Sequence, residues 1–183
     1  ANLQPFNDMA QAVEGADMII EAVPELPELK ASIFAQLDEL APPHAILGTN
    51  TSSLSIADIA AATSRPERVI GMHFFNPVPI MKLLELVRHS STSSATVAAA
   101  EAAGQAMGKT TILVKDVPGF ATSRLGVVLG NEAIRMLADG VASPKDIDTA
   151  TVVGYRHQMG PLALSGLVGL RGARDPLPNP PPQ

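Results

Sequence analysis

The chain of 183 residues contains no cysteine. That absence excludes a disulfide framework, a thiol nucleophile and a cysteine-ligated zinc, and it suits a reducing compartment. Positive charge is scarce and scattered: the formal net charge is -5, and no run of lysine or arginine occurs. Without a basic stripe to displace counterions, the composition argues against nucleic acid as a partner. No apolar stretch is long enough to span a bilayer, and the N-terminus lacks the charged-then-apolar pattern of a signal peptide. These absences predict a soluble cytoplasmic protein with no membrane partner. There is no internal repeat, and the length suits one ordinary domain or one and a half small ones with ample apolar content for a core.

What is present alternates. ADMIIEAV ending at residue 23 is a short apolar run of strand type, and in the following stretch Leu26, Leu29, Ile33, Phe34, Leu37 and Leu40 recur at helical spacing. AILGTN at 45–50 is a second strand, and TSSLSIADIAAAT offers Ser and Thr caps before another helical pattern. RVIGMHFF is a third strand and LLELV a fourth. The Ala-rich stretch from Ser93 to Met107 is a helix ended by Gly108, and KTTILV at 109–114 is a last strand. This rhythm predicts an α/β fold with parallel pairing and helices on the sheet faces. After Asp116-Val117-Pro118-Gly119 the pattern turns helical, which places a domain boundary there. Phe120, Leu125, Leu129, Ala133, Ile134 and Leu137 fall on one face of a long helix that Gly140 closes, and Ser143-Pro144 opens a shorter one. The expected organisation is therefore a first domain over 1–116, a helical segment over 117–172 and a disordered Pro-rich tail over 173–183.

One stretch carries the chemistry. In GMHFFNPVPIMKLLE, residues 71–85, His73 lies in one strand-like run, Asn76-Pro77-Val78-Pro79 breaks it, and the next run brings Glu85 back alongside. A carboxylate bonded to one imidazole nitrogen fixes the tautomer and leaves the other nitrogen to take a proton. The same spacing also suits a core histidine with a strand-end surface charge. Asn50-Thr51-Ser52-Ser53 follows a strand and precedes a helix, where polar groups either hold a substrate oxygen or only cap the helix. Glu21 and Glu25 lie at the end of the first strand, and Glu25 suits the following helix N-terminus. Lys30 reads as an ordinary exposed helix residue.

The segments EAVPE, GTNTSSLSI, GMHFFNPVPIMKLLE, KDVPGFATSRL and MGPLALSGLVGL, in this order, resemble the L-3-hydroxyacyl-CoA dehydrogenase family, including its 3-hydroxybutyryl-CoA members. The resemblance implies oxidation of the 3-hydroxyl of an acyl-CoA thioester by NAD, as in fatty-acid β-oxidation or butanoate metabolism. It also implies a Rossmann-type NAD-binding domain, here in its C-terminal part, followed by a remnant of an all-α domain that forms homodimers in full-length members. His73 matches the family base and Glu85 the carboxylate that orients it. Ser52 matches the hydroxyl on the reacting oxygen, and Asn76 an amide that holds substrate and the base region. Glu25, Lys30 and Asn50 match positions lining the nicotinamide and substrate crevice. No metal is required by this chemistry.

Three departures accompany the resemblance. No G-x-G-x-x-G occurs, and GLVGLRG at 166–172 has the wrong glycine spacing to cradle a pyrophosphate. The chain is expected to begin inside the cofactor domain. Ser123 stands where better-known members have a substrate-contacting asparagine, and Gly166 and Arg171 stand where aspartates are usual. Two expectations follow: the catalytic portion of an NAD-dependent dehydrogenase, or a non-enzymatic fragment that keeps the fold without the phosphate loop. A different nicotinamide-dependent hydroxyacid dehydrogenase would commonly use a lysine base, against which HFFNP followed by Glu85 argues.

Overall fold

A computed structural model describes residues 3–168. The expected tail, Arg171 and most of the 166–172 glycine segment lie outside the described residues. The chain divides into two compact units, residues 1–123 and 124–183.

The first unit is built on a five-stranded sheet in the order β1-β2-β3-β4-β5. Its strands are β1 Met18–Glu21, β2 Ile46–Thr49, β3 Val69–Phe74, β4 Leu83–Arg88 and β5 Thr110–Lys115. The first three pair in parallel. Helices α2 Pro27–Leu40 and α3 Ile56–Ala60 connect them, after a short opening helix α1 Met9–Val13. The break at Asn76-Pro77-Val78-Pro79 then reverses the chain, so β4 runs antiparallel to β3, with His73 directly opposite Glu85. Helix α4 Ser94–Ala106 carries the chain back to β5, parallel to β4.

Strand side chains alternate between faces, and the two faces hold two cores. Leu47, Val69 and Val87 pack with Phe34, Leu37, Ile56, Ile59 and Phe120 on one side. Ile46, Ile70, Met72, Leu84 and Leu86 pack with Ala100 of α4 on the other. His73 is two residues from Gly71 and four from Val69, and Glu85 is two from Val87, so the pair falls on the face that carries Phe120. Gly71 sits where β3, β4 and α3 approach most closely: a Cβ there would lie 2.8 Å from Val87 Cβ and 2.9 Å from Ile56 Cδ1.

Two features of the first unit differ from the sequence reading. Lys30 is fully buried, not exposed, because its ammonium meets Glu21 at 2.8 Å. Hydropathy periodicity registers a lysine as polar and cannot register the carboxylate that lets it enter the core. Phe120, assigned to the face of the long helix, lies outside it and is buried in the first core. The helix α5 spans Thr122–Ala138, and Gly119 and Phe120 just before it take left-handed φ values of +74° and +48°. A left-handed residue breaks helical phase, so the periodicity could not extend back to 120.

In the second unit Ser143 caps α6 Pro144–Thr149 by accepting from the Asp146 amide at 3.2 Å, as its Ser-Pro opening predicts. A π-helical turn Ala150–Gly154 and α7 Pro161–Val168 follow. Asp148 accepts the Leu162 and Ala163 amides at 2.8 and 3.1 Å, fastening the start of α7 to α6. Gly140, at φ +68°, closes α5.

Candidate active site

The site lies at the carboxyl ends of β1, β2 and β3, where open parallel sheets place their ligand crevices. Register brings its central pair together. His73 Nδ1 is 2.9 Å from Glu85 Oε2, and both side chains are buried. Glu85 has no exposed surface, yet it is not stranded. Oε1 accepts the amides of Ala121 at 2.9 Å and Thr122 at 3.1 Å, and Oε2 accepts the Thr122 hydroxyl at 2.6 Å. Burial would raise the proton affinity of this carboxyl, but the Thr122 hydroxyl, His73 and the two amides outweigh it and hold Glu85 below the ordinary carboxylate range. An ionised carboxylate only accepts, so His73 donates from Nδ1, which leaves Nε2 as the ring nitrogen turned to other partners. The imidazole is walled by two aromatic rings, Phe75 at a centroid distance of 4.5 Å and Phe120 at 6.1 Å.

A second carboxylate organises the neighbouring turn. Glu25 accepts the Thr51 hydroxyl and the amides of Ser52 at 3.0 Å and Ser53 at 3.3 Å. Burial acts to raise its pKa, but Thr51, Ser52, Lys30 and Ser53 together lower it. Lys30 Nζ stands between Glu21 Oε1 at 2.8 Å and Glu25 Oε2 at 3.5 Å, and donates to the Val23 carbonyl at 3.2 Å. Glu21 is completed by the Thr49 hydroxyl at 2.8 Å and the Val23 amide at 2.6 Å. The cap of α3 is Ser55, whose hydroxyl accepts from the Asp58 amide at 3.2 Å, so the exposed Ser52 does not cap that helix; its hydroxyl makes one long bond, donating to Glu25 Oε1 at 3.5 Å.

The other expected residues are placed as follows. Asn50 Oδ1 accepts the Phe74 amide at 2.9 Å, tying the end of β2 to that of β3 and leaving its NH₂ group for another acceptor. Ser123 Oγ donates to the Ser52 carbonyl at 3.2 Å, so these two come together. Asn76 is exposed in the loop after β3, and the Lys109 ammonium steadies that loop through the carbonyls of Val78 and Met81. Sequence reasoning missed Thr122 and the Ala121 amide, and it offered Thr51 as a substrate holder or helix cap and not as the partner of Glu25 that it is. A main-chain amide leaves no signal in the sequence.

Residues 1–117 match the NAD binding domain of 3-hydroxyacyl-CoA dehydrogenase, and residues 119–178 match the C-terminal domain of the same enzyme. The chain belongs to the 3-hydroxyacyl-CoA dehydrogenase family. It is 49% identical over 160 residues to the probable 3-hydroxybutyryl-CoA dehydrogenase of Bacillus subtilis, covering 87% of this chain and 56% of that protein. The 3-hydroxybutyryl-CoA dehydrogenase of Clostridioides difficile is 48% identical over 154 residues, covering 84% of this chain and 55% of the relative. Among solved structures, (S)-3-hydroxybutyryl-CoA dehydrogenase PaaH1 from Ralstonia eutropha superposes with a TM-score of 0.84 at 45% identity, covering 88% of this chain and 57% of that one. The chain thus spans about half the length of the curated relatives it matches. The fold is the expected one, an α/β NAD-binding domain of Rossmann type followed by a helical domain.

The polar groups at the strand ends suit the reactive end of a nicotinamide cofactor: Asn50 has a free amide donor and His73 a free ring nitrogen. Three helix N-termini of the first unit, those of α1, α2 and α3, already carry acidic groups, whereas that of α4 is capped by Ser93. In the first unit the N-terminus of α1 is occupied by the Asp8 carboxylate, which accepts from Gln11 at 2.9 Å, and that of α3 by Asp116, which accepts from Ala57 at 2.8 Å. Helix α2 carries Glu28 in its first turn. Acidic groups at these positions oppose a second anion.

Proposed function

We propose that this chain carries the proton-transfer site of an NAD-dependent 3-hydroxyacyl-CoA dehydrogenase, with an acyl-CoA thioester as substrate. The observation that carries the reading is His73 with Nδ1 committed to an ionised, four-fold bonded Glu85 and Nε2 left free. A bound NAD would supply the hydride acceptor for C3. The residues of this chain handle the proton and the oxygen. His73 Nε2 takes the 3-hydroxyl proton as the carbonyl forms, and Glu85 stabilises the imidazolium that results. The Ser52 hydroxyl and the Asn76 amide donate to the reacting oxygen, where negative charge develops. Ser123 serves the substrate as a shorter substitute for an amide, a role supported by its bond to the Ser52 carbonyl. Glu25 and Lys30 hold the Ser52 turn, and Asn50 supplies its NH₂ to the nicotinamide side.

A second reading, that the 183 residues keep the base pair and turn nothing over by themselves, is favoured by the acidic occupants of the helix N-termini. Titrating the chain with NADH by fluorescence, then following acetoacetyl-CoA-dependent NADH consumption, separates the two. Saturable binding with turnover supports the first; a folded chain that binds no NADH supports the second. Homodimerisation belongs to the proposal for the full-length protein and is supported by the exposed apolar side chains of α5, including Leu125 at 64% and Val128 at 59%. Among the described residues no helix is long and apolar enough to cross a membrane. A cytoplasmic setting and the lack of a nucleic-acid partner are parts of the same proposal, supported by the absence of cysteine and of basic runs.

A further inference from the structure

Three of the four donors on Glu85 come from two consecutive residues. The Ala121 and Thr122 amides meet Oε1, and the Thr122 hydroxyl meets Oε2 beside the His73 imidazole. The backbone is shaped for this delivery. Gly119 and Phe120 both turn left-handed, at φ +74° and +48°, and the next two N–H groups then point together at the start of α5. Phe120 keeps this unfavourable conformation while its ring is buried against the first core and lies edge-on to His73 at 6.1 Å. One short segment therefore contacts both members of the pair.

The two oxygens of Glu85 are held differently. Oε1 is fixed by main-chain groups, which substitutions at 121 or 122 other than proline leave in place. Oε2 is shared by the imidazole and the Thr122 hydroxyl, which among the described residues is the one side-chain donor to Glu85 besides His73 itself. We propose that Thr122 is a positioning residue for the His73–Glu85 pair, its hydroxyl holding Oε2 where it meets His73 Nδ1. The inference rests on the reading of His73 as base. Among the described residues Thr122 makes no hydrogen bond to the imidazole and acts through Glu85. Around that carboxylate stand His73 from β3, Ile112 at the matching register position of β5, and the 120–122 segment; among the described residues His73 is the only ionisable side chain that bonds it.

A hydroxyl donated to an ionised carboxylate lowers its proton affinity and restrains its rotation. The test uses the 183-residue chain and compares Thr122→Val, Thr122→Ala and Thr122→Ser. Carbon NMR reads the protonation midpoint of Glu85, nitrogen-resolved proton NMR reads exchange of the His73 Nδ1 proton, and the His44 and His89 signals serve as internal references. Thr122→Val and Thr122→Ala are expected to move the Glu85 midpoint upward. They should also speed Nδ1 proton exchange roughly threefold to tenfold, the range for loss of one hydrogen bond. Thr122→Ser is expected to retain both wild-type values. If Val and Ala leave both readouts unchanged, or if Ser moves them as far as Val does, Thr122 is only a helix-opening residue and the proposal is overturned. No readout requires substrate, so a chain without turnover that still shows these shifts removes the proposed activity and leaves the positioning role standing.

Discussion

Glu85 and Glu25 are both carboxylates at the crevice end of the sheet, one early in antiparallel β4 opposite His73 and the other in the turn after β1, and each gathers two main-chain amides and a threonine hydroxyl. They differ in surroundings. Glu85 is sealed, while the Glu25 side chain keeps 36% of its surface in water. A sealed carboxylate must have every lone pair met, and once it is met the remaining direction is fixed enough to orient a neighbouring ring. A carboxylate open to solvent can afford looser bonds and serves to gather a turn. The two seats also draw on different partners: Glu85 faces the His73 imidazole, whereas Glu25 shares the Lys30 ammonium with Glu21.

Three experiments test the contrast between the two seats. The largest effect is expected at the sealed seat. In any form of the protein that turns over, His73→Ala lowers the rate by about 10²–10⁴-fold with little change in NADH affinity, and steady-state kinetics with binding titration check it. Unchanged turnover would remove His73 as the base. Next is Lys30→Met, which leaves Glu21 charged and buried without its cation and is expected to cost about 3–5 kcal/mol of stability by chemical denaturation. A loss below about 1 kcal/mol would mean that water or Thr49 suffices for Glu21.

The smallest and most diagnostic effect concerns acid. Both carboxylates have lowered folded-state pKa values, so each contributes stability that is present above the ordinary glutamate value of 4.5 and lost as pH falls from there through the lowered value. Asp38, whose burial is outweighed by Ser64 and Arg65, adds a contribution of the same sign. Glu85→Gln is expected to flatten the dependence of unfolding free energy on pH below that value more than Glu25→Gln does, because solvent screens the open seat. Equal flattening would show that burial does not distinguish the two.

The strands, most helices and the His73–Glu85 pairing were legible in the sequence because they rest on local patterns: apolar runs, caps at Ser55, Ser93 and Ser143, and a Pro-rich break that reverses the chain. The reading stopped at groups with no pattern. The amides of Ala121 and Thr122 belong to every residue equally, and only the left-handed turn at Gly119-Phe120 aims them. Lys30 looked like a surface residue because its partner, Glu21, lies nine positions away across a strand-to-helix connection. Thr51 and Thr122 are each joined to a glutamate more than 25 positions distant. Local periodicity does not extend that far.

The bare α-carbon at Gly71 has a consequence for how mutational surveys of this protein would be read. Even a single methyl there would meet Val87 and Ile56 within 3 Å. Relief requires β3 and β4 to part just two positions from His73, along the ladder that sets it opposite Glu85. A substitution at 71 would therefore score as a lesion of the chemistry in a functional screen, although the residue has no side chain and no proton to give.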